Sequence, residues 1–326
     1  MDARLDALRR WLAAQFKDAA FTLAPASEDA SFRRYFRARL ADGRSYVAMD
    51  APPGKEDCRP FVHVAKLLRE AGVNAPEVHA QDLRQGFLLL SDLGTRTYLE
   101  ALDEHNAGEL MRDATDTLLR WQLATRAAAL PPYDEALLRR EMALFTEWYL
   151  GRHLGLQLSQ AQLGDLQAIF GRLAASALAQ PAVYVHRDYM PRNLMVCEPN
   201  PGVLDFQDAV IGPITYDIVS LLRDAFISWD EQQVLDWCIR YWEAARRAGL
   251  PVDADFAAFF RSFEWMGLQR HLKVLGIFAR LTYRDGKSRY LADTPRFVGY
   301  AQAVARRYPA LAPLARLFDE LEAHAA

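Results

Sequence analysis

Apolar residues recur at helical spacing along the opening segment MDARLDALRRWLAAQF. Leu5, Leu8, Leu12 and Phe16 fall on one side, with charged residues between them. That spacing predicts an amphipathic surface helix rather than an export leader, whose apolar centre carries no charge. The pattern then shortens to the two-residue alternation of strands. Strands are expected at Phe21–Pro25, Phe32–Leu40 and Ser45–Asp50, the last two joined by the turn Ala41-Asp42-Gly43. Between the first two lies SEDAS, small and polar enough to fold over a ligand at close range. Pro52-Pro53-Gly54 breaks the chain, and a helix over Arg59–Ala71 ends at Gly72. Another strand pair is expected at Glu77–Gln81 and Gly86–Leu90, followed by Ser91-Asp92-Leu93-Gly94.

Beyond Gly94 long helical patterns dominate, near Thr97–Glu100 and through Asp113–Ala127, Tyr133–Leu150 and Ser159–Leu178. A strand-rich island, AVYVHRDYMPRNLMVCEPNPGVLDFQD, interrupts them, and helices resume at Thr215, the first spanning Thr215–Trp229. The expected fold is α+β and two-lobed. Residues 1–93 form a small antiparallel-sheet lobe that binds a nucleotide. Residues 94–326 form a large, mainly helical lobe with the catalytic loop and the substrate site.

Composition narrows the class. Just over half of the 326 residues are hydrophobic, ample for large cores, and the net charge is −3. That charge gives no broad basic field and argues against nucleic-acid binding. No apolar stretch is long enough to span a bilayer. Cys58, Cys197 and Cys238 lack metal-type spacing and read as buried thiols in a reducing compartment. A cytoplasmic monomer or weak dimer, with no membrane partner, is expected.

The chemistry sits in the island. His186-Arg187-Asp188-Tyr189-Met190-Pro191-Arg192-Asn193 matches H-R-D-x-x-x-x-N, the catalytic-loop pattern of phosphoryl transfer. Asp205-Phe206 follows on the return strand of a short hairpin, Leu194–Cys197 and Val203–Asp205, around the turn formers Pro199, Asn200, Pro201 and Gly202. Phosphoryl transfer is catalysed by positioning and charge neutralisation. Mg²⁺ prefers oxygen ligands, which Asn193 and Asp205 offer. Asp188 is placed to align an attacking hydroxyl and take its proton. His186 and Asp217 are read as supports of the loop backbone.

Several segments together resemble the aminoglycoside-phosphotransferase-like kinases, relatives of the choline and homoserine kinases and, more distantly, of protein kinases. They are VYVHRDYMPRNLMV, GVLDFQDAVIGPITYDIVSLLRDAF and SEDASFRRYFRAR. The resemblance spans nearly the whole chain. It implies a protein-kinase-like fold, ATP and Mg²⁺, with Asp188 as base, Asn193 and Asp205 as metal ligands, and Ser91, Asp92 and Leu93 at the hinge that holds adenine. Within that family, DASFRRYFR, VAMDAPP, VHRDYMPRNLM and LDFQDAVIGPITYD are similar to the anomeric sugar kinases of bacterial cell-wall recycling. This implies a small-molecule sugar substrate, N-acetylmuramate or N-acetylglucosamine, phosphorylated at C1.

The sequence also departs from the pattern. Protein kinases carry a phosphate-binding Lys on the third strand. Here Val47-Ala48-Met49-Asp50 ends in Asp, and lysine occurs only at 17, 55, 66, 273 and 287. Arg33 or Arg34 is the candidate replacement, because guanidinium donates paired hydrogen bonds to phosphate, and strand alternation sends only one of them inward. Ser31 is a further candidate phosphate contact. Gln207 replaces the glycine of Asp-Phe-Gly and predicts a more fixed loop. For the substrate, Asp208 and Asp224 are candidates, although a solvated helical carboxylate is the favoured reading of Asp224. Arg270, His271 or Lys273 offers a cation to a carboxylate, with a salt-bridged core helix as the alternative; Arg270 and Lys273 share a face. Other small-molecule kinases, of the aminoglycoside, choline or homoserine type, and a pseudokinase that only binds ATP remain open as competing functions.

Overall fold

The computed structural model describes residues 2–27 and 32–325, apart from the side chains of 323–325. The opening segment forms α1 (Ala3–Gln15), capped by Asp2, whose carboxylate accepts the N–H groups of Arg4 and Leu5. Then come β1 (Phe21–Ser27), β2 (Arg34–Leu40), β3 (Ser45–Asp50), α2 (Arg59–Glu70), β4 (Val78–Asp82) and β5 (Phe87–Ser91). The helices α3 (Tyr98–Ala101), α4 (Ala107–Leu123), α5 (Glu135–Leu144) and α6 (Gln160–Leu178) follow. The island supplies β6 (Ala182–Val185), β7 (Leu194–Met195), β8 (Gly202–Val203) and β9 (Val210–Pro213). The remainder is helical: α7 (Tyr216–Leu222), α8 (Glu231–Arg247), α9 (Phe256–Tyr283), α10 (Thr294–Arg307) and α11 (Ala312–Ala325).

The chain divides into two compact units, Met1–Trp121 with Arg192–Asp208, and Gln122–Pro191 with Ala209–Ala326. The first is built on an antiparallel five-stranded sheet of order β1-β2-β3-β5-β4. The expected β2–β3 hairpin is there, with Gly43 at φ +89° in the turn. Leu8 and Leu12 of α1 pack with Ala48, Phe87 and Leu89 of the sheet, which accounts for the apolar stripe of the opening helix. The β7–β8 hairpin belongs to this unit. Asn74 fastens it: its carbonyl accepts the Val203 N–H at 2.7 Å, and its side-chain amide donates to the Pro199 carbonyl at 2.6 Å. Asn200 donates to Asp113 at 2.6 Å.

The second unit is organised around α9, a largely buried helix that packs against α5, α6, α7 and α10. A two-stranded sheet, β6 with β9, leads into the catalytic loop. The helix expected over Asp113–Ala127 is shifted to α4, Ala107–Leu123, and two further expected helices differ. The helix expected over Tyr133–Leu150 is α-helical only from Glu135 to Leu144 and continues as a π-helix over Phe145–His153. The change of register begins where the Leu144 backbone lies against Gly276 of α9. The helix expected over Thr215–Trp229 stops at Leu222, because the Asp224 carboxylate takes the N–H groups of Phe226 and Ile227, at 2.7 and 3.2 Å, into a competing turn.

Candidate active site

In the first unit a cavity of about 280 Å³ opens between the sheet and the hairpin. Val47, Leu90, Met195 and Leu204 give it apolar walls; Ser91, Asp92 and Leu93 form one side, and Asn193 and Asp205 another. The expected hinge segment is firmly held. Asp92 accepts from Arg37 Nε at 2.7 Å, from Ser45 Oγ at 2.5 Å and from the Gly94 N–H at 3.1 Å. Burial would push the Asp92 carboxyl up, but these donors keep it below the usual carboxylate range.

The two expected metal ligands meet on the hairpin. Leu204 N–H donates to the Asn193 carbonyl at 2.9 Å, and the Asn193 amide lies 3.5 Å from Asp205 Oδ2. Asp205 takes a left-handed φ of +63°. Phe206 is buried against the Phe61 ring of α2, with centroids 4.7 Å apart. Gln207 donates to Asp205 Oδ1 at 3.0 Å and lies 3.5 Å from Asp208. The side chains of Asn193 and Asp205 are thus neighbours, and a carboxylate with an amide group is a donor set that suits Mg²⁺, which takes few protein ligands when phosphates and water complete its shell. The protein alone offers no fuller cage: no cluster of three or more His, Cys, Asp or Glu occurs among the described residues.

The two candidate arginines part company. Arg33, with a nearly buried side chain, places Nη2 3.6 Å from Asp205 Oδ1. Arg34 points the other way, to Asp2 and, at 2.5 Å, to Asp50. Asp50, at the position where a lysine was expected, is fully buried and also paired with Arg4 of α1. It is therefore a structural anchor for two arginines. Ser31 lies outside the described residues.

The loop with the expected base, Asp188, lies in the second unit and leaves β6 at Val185. Buried Asp217 of α7 accepts the N–H groups of His186 and Arg187, at 2.7 and 3.0 Å. Burial pushes its carboxyl up to about 7, against the pull of those two donors. The Asp188 N–H lies 3.2 Å from His186 Nδ1. Arg187, immediately before Asp188, has φ +77°.

The substrate candidates are more buried than the sequence suggested. Asp224 is wholly inaccessible rather than solvated. Arg270, His271 and Lys273 are all buried in α9. Burial holds the His271 imidazole well below its usual value, and its ring stacks on Tyr300 at 5.0 Å. Lys273 Nζ is bound to Tyr216 OH at 3.0 Å and to Glu141 at 3.2 Å. Arg270 Nη1 and Asp224 Oδ1 are buried without a hydrogen-bond partner among the described residues. Sequence reasoning missed Glu141. Leu138, Glu141, Met142 and Phe145 share one buried face, so a carboxylate on an apolar stripe was the available signal.

A five-stranded antiparallel sheet followed by a mostly helical remainder is the protein-kinase-like fold. An aminoglycoside phosphotransferase crystallised with ADP has the same fold: TM-score 0.60 at 16% identity, covering 92% of this chain and 98% of that one. The model of the phosphotransferase enzyme family matches residues 22–250. The chain belongs to that family. It is 55% identical to the N-acetylmuramate/N-acetylglucosamine kinase of Pseudomonas putida over 334 residues, covering 99% of this chain and 98% of the relative. Against the kinase of the same name from Pseudomonas aeruginosa it is 57% identical over 299 residues, covering 92% and 88%.

Proposed function

We propose that the protein is an ATP-dependent kinase that phosphorylates the anomeric C1 hydroxyl of N-acetylmuramate and N-acetylglucosamine, giving the sugar 1-phosphate. The observation that carries this reading is its similarity, over almost the full length of both chains, to relatives bearing the name of that kinase. In this reading residues 1–93 form the nucleotide lobe and residues 94–326 the lobe of the catalytic loop and the substrate. The reaction belongs to the cytoplasm, where ATP is supplied. Among the described residues no helix is long and apolar enough to cross a membrane.

The roles follow from the chemistry of each group. The apolar walls of the cavity take the adenine, and the backbone at Ser91, Asp92 and Leu93 takes its polar edge. Asn193 and Asp205 would hold Mg²⁺, which when bound would neutralise phosphate charge. Arg33 rather than Arg34 supplies the missing cation: its guanidinium already lies beside Asp205, whereas Arg34 is engaged by Asp2 and Asp50. Ser31 adds a phosphate contact. Asp188 accepts the proton of the attacking hydroxyl. Its loop is braced by His186 and Asp217 through the hydrogen bonds already described.

For the sugar, Arg270 is the proposed partner of the lactyl carboxylate, because it brings a buried guanidinium nitrogen with no hydrogen-bond partner among the described residues. His271 is neutral and Lys273 is committed to Glu141 and Tyr216. Asp208 and Asp224 are proposed acceptors for sugar hydroxyls.

The test is phosphate transfer from ATP to N-acetylmuramate, N-acetylglucosamine and kanamycin, with phosphorus NMR of the product, for the native protein and D188N. We expect an anomeric phosphate on both amino sugars, none on kanamycin, and no turnover by D188N. Transfer to kanamycin alone would overturn the substrate assignment. ATP binding without transfer to any acceptor would favour a nucleotide-binding module.

A further inference from the structure

Glu141 draws four donors, two to each carboxylate oxygen. It accepts from Arg187 Nη2 at 2.5 Å, from Gln269 Nε2 at 3.3 Å and from the Tyr133 hydroxyl, and Lys273 Nζ lies 3.2 Å away. Two cations therefore converge on one buried carboxylate. Burial would push the Glu141 carboxyl up, but the charges of Lys273 and Arg187 hold it below its usual value, so it is ionised.

One of those cations is the residue before the proposed base. Arg187 has a left-handed backbone, which a residue other than glycine keeps only when its surroundings impose it. Here both ends of the residue are held: the N–H by Asp217 at 3.0 Å and the guanidinium by Glu141. The same guanidinium lies 5.8 Å from the centre of the Tyr133 ring.

We infer that Glu141 is a positioning residue for phosphoryl transfer, which acts through Arg187 to fix the direction of Asp188. This rests on Asp188 being the base. Neutralising Glu141 releases the Arg187 guanidinium and lets its backbone relax, so the carboxylate of the next residue turns away from the acceptor hydroxyl. Neither nucleotide nor sugar contacts Glu141 in this scheme, so the loss falls on turnover and not on binding.

The experiment is a double-mutant cycle in the full-length protein, with E141Q, R187M and the double variant assayed on ATP and N-acetylmuramate, and D188N alongside. Each single variant is expected to lower kcat about tenfold to a hundredfold, with both KM values within about twofold. The double variant is expected to be no slower than the slower single one, because the two residues act as one unit. A folded E141Q with unchanged kcat, losses confined to KM, or losses that multiply in the double variant would each overturn the inference. Should E141Q fail to fold, R187M decides the matter, since its side chain reaches partly to the surface; an unchanged kcat there overturns the inference as well. Turnover by D188N would instead remove the assignment of the base itself, and this inference with it.

Discussion

Asp217 ties the stability of the loop at His186 and Arg187 to pH. Its carboxyl is wholly buried, and burial raises it from an ordinary 3.8 to about 7 in the folded chain. A carboxyl raised in the folded state binds its proton more tightly there than in the unfolded chain. Its contribution to stability is therefore complete below about pH 4 and is lost as pH rises through about 7. At about 1.4 kcal/mol for each pH unit crossed between the two values, the loss from about pH 5 to about pH 8 comes to about 2–3 kcal/mol. The amide that replaces the carboxyl in D217N does not titrate. In that variant one of the two N–H groups of the loop faces an amide NH₂ instead of an oxygen, which costs about 1–3 kcal/mol at every pH. The native protein should thus exceed D217N in stability by its widest margin in weak acid, and the margin should narrow by about 2–3 kcal/mol on going to about pH 8. Urea unfolding of both proteins at several pH values measures this, because titrating groups remote from position 217 are shared and cancel in the difference. A margin independent of pH would refute the reasoning.

Two more predictions test packing and the nucleotide contact. A Cβ at Gly276 would lie 2.3 Å from the Leu144 carbonyl carbon and 2.5 Å from its Cβ and oxygen. G276A must therefore separate α5 from α9, at a cost of about 1–3 kcal/mol that the better helix propensity of Ala only partly offsets. The melting temperature should fall by several degrees, and a G276A protein as stable as the native one would contradict so close a crossing. R33A should raise the KM for ATP about tenfold, as expected for the loss of a charge-assisted phosphate contact. R34A should leave that KM unchanged and lower stability, because it leaves buried Asp50 with Arg4 alone. Equal KM values for R33A and the native protein would end the assignment.

What the sequence showed depended on how far apart the interacting residues lie. The β2–β3 hairpin was legible because alternation and the turn around Gly43 are local signals, and the strands begin and end within a residue or two of expectation. The loop over His186–Asn193 was legible as a loop before a hairpin because its residues are neighbours in the chain. Asp50 was not: its meaning comes from Arg4, 46 residues earlier, so a departure from the kinase pattern looked like a gap in the nucleotide site. The solvated reading of Asp224 failed because periodicity assumed a helix that its own side chain ends. Every residue of α7 is buried, so no polar face marks which way it points. Glu141 draws its partners from Tyr133, Arg187, Gln269 and Lys273, and the last two are more than a hundred residues downstream. These cases share one physical cause. A buried charge is tolerated only beside its counter-charges, and those are brought together by tertiary packing that no local pattern records. The residues whose roles were hardest to read are therefore the buried ionisable ones: Asp50 anchors two arginines, Asp224 ends a helix, and Glu141 gathers two cations.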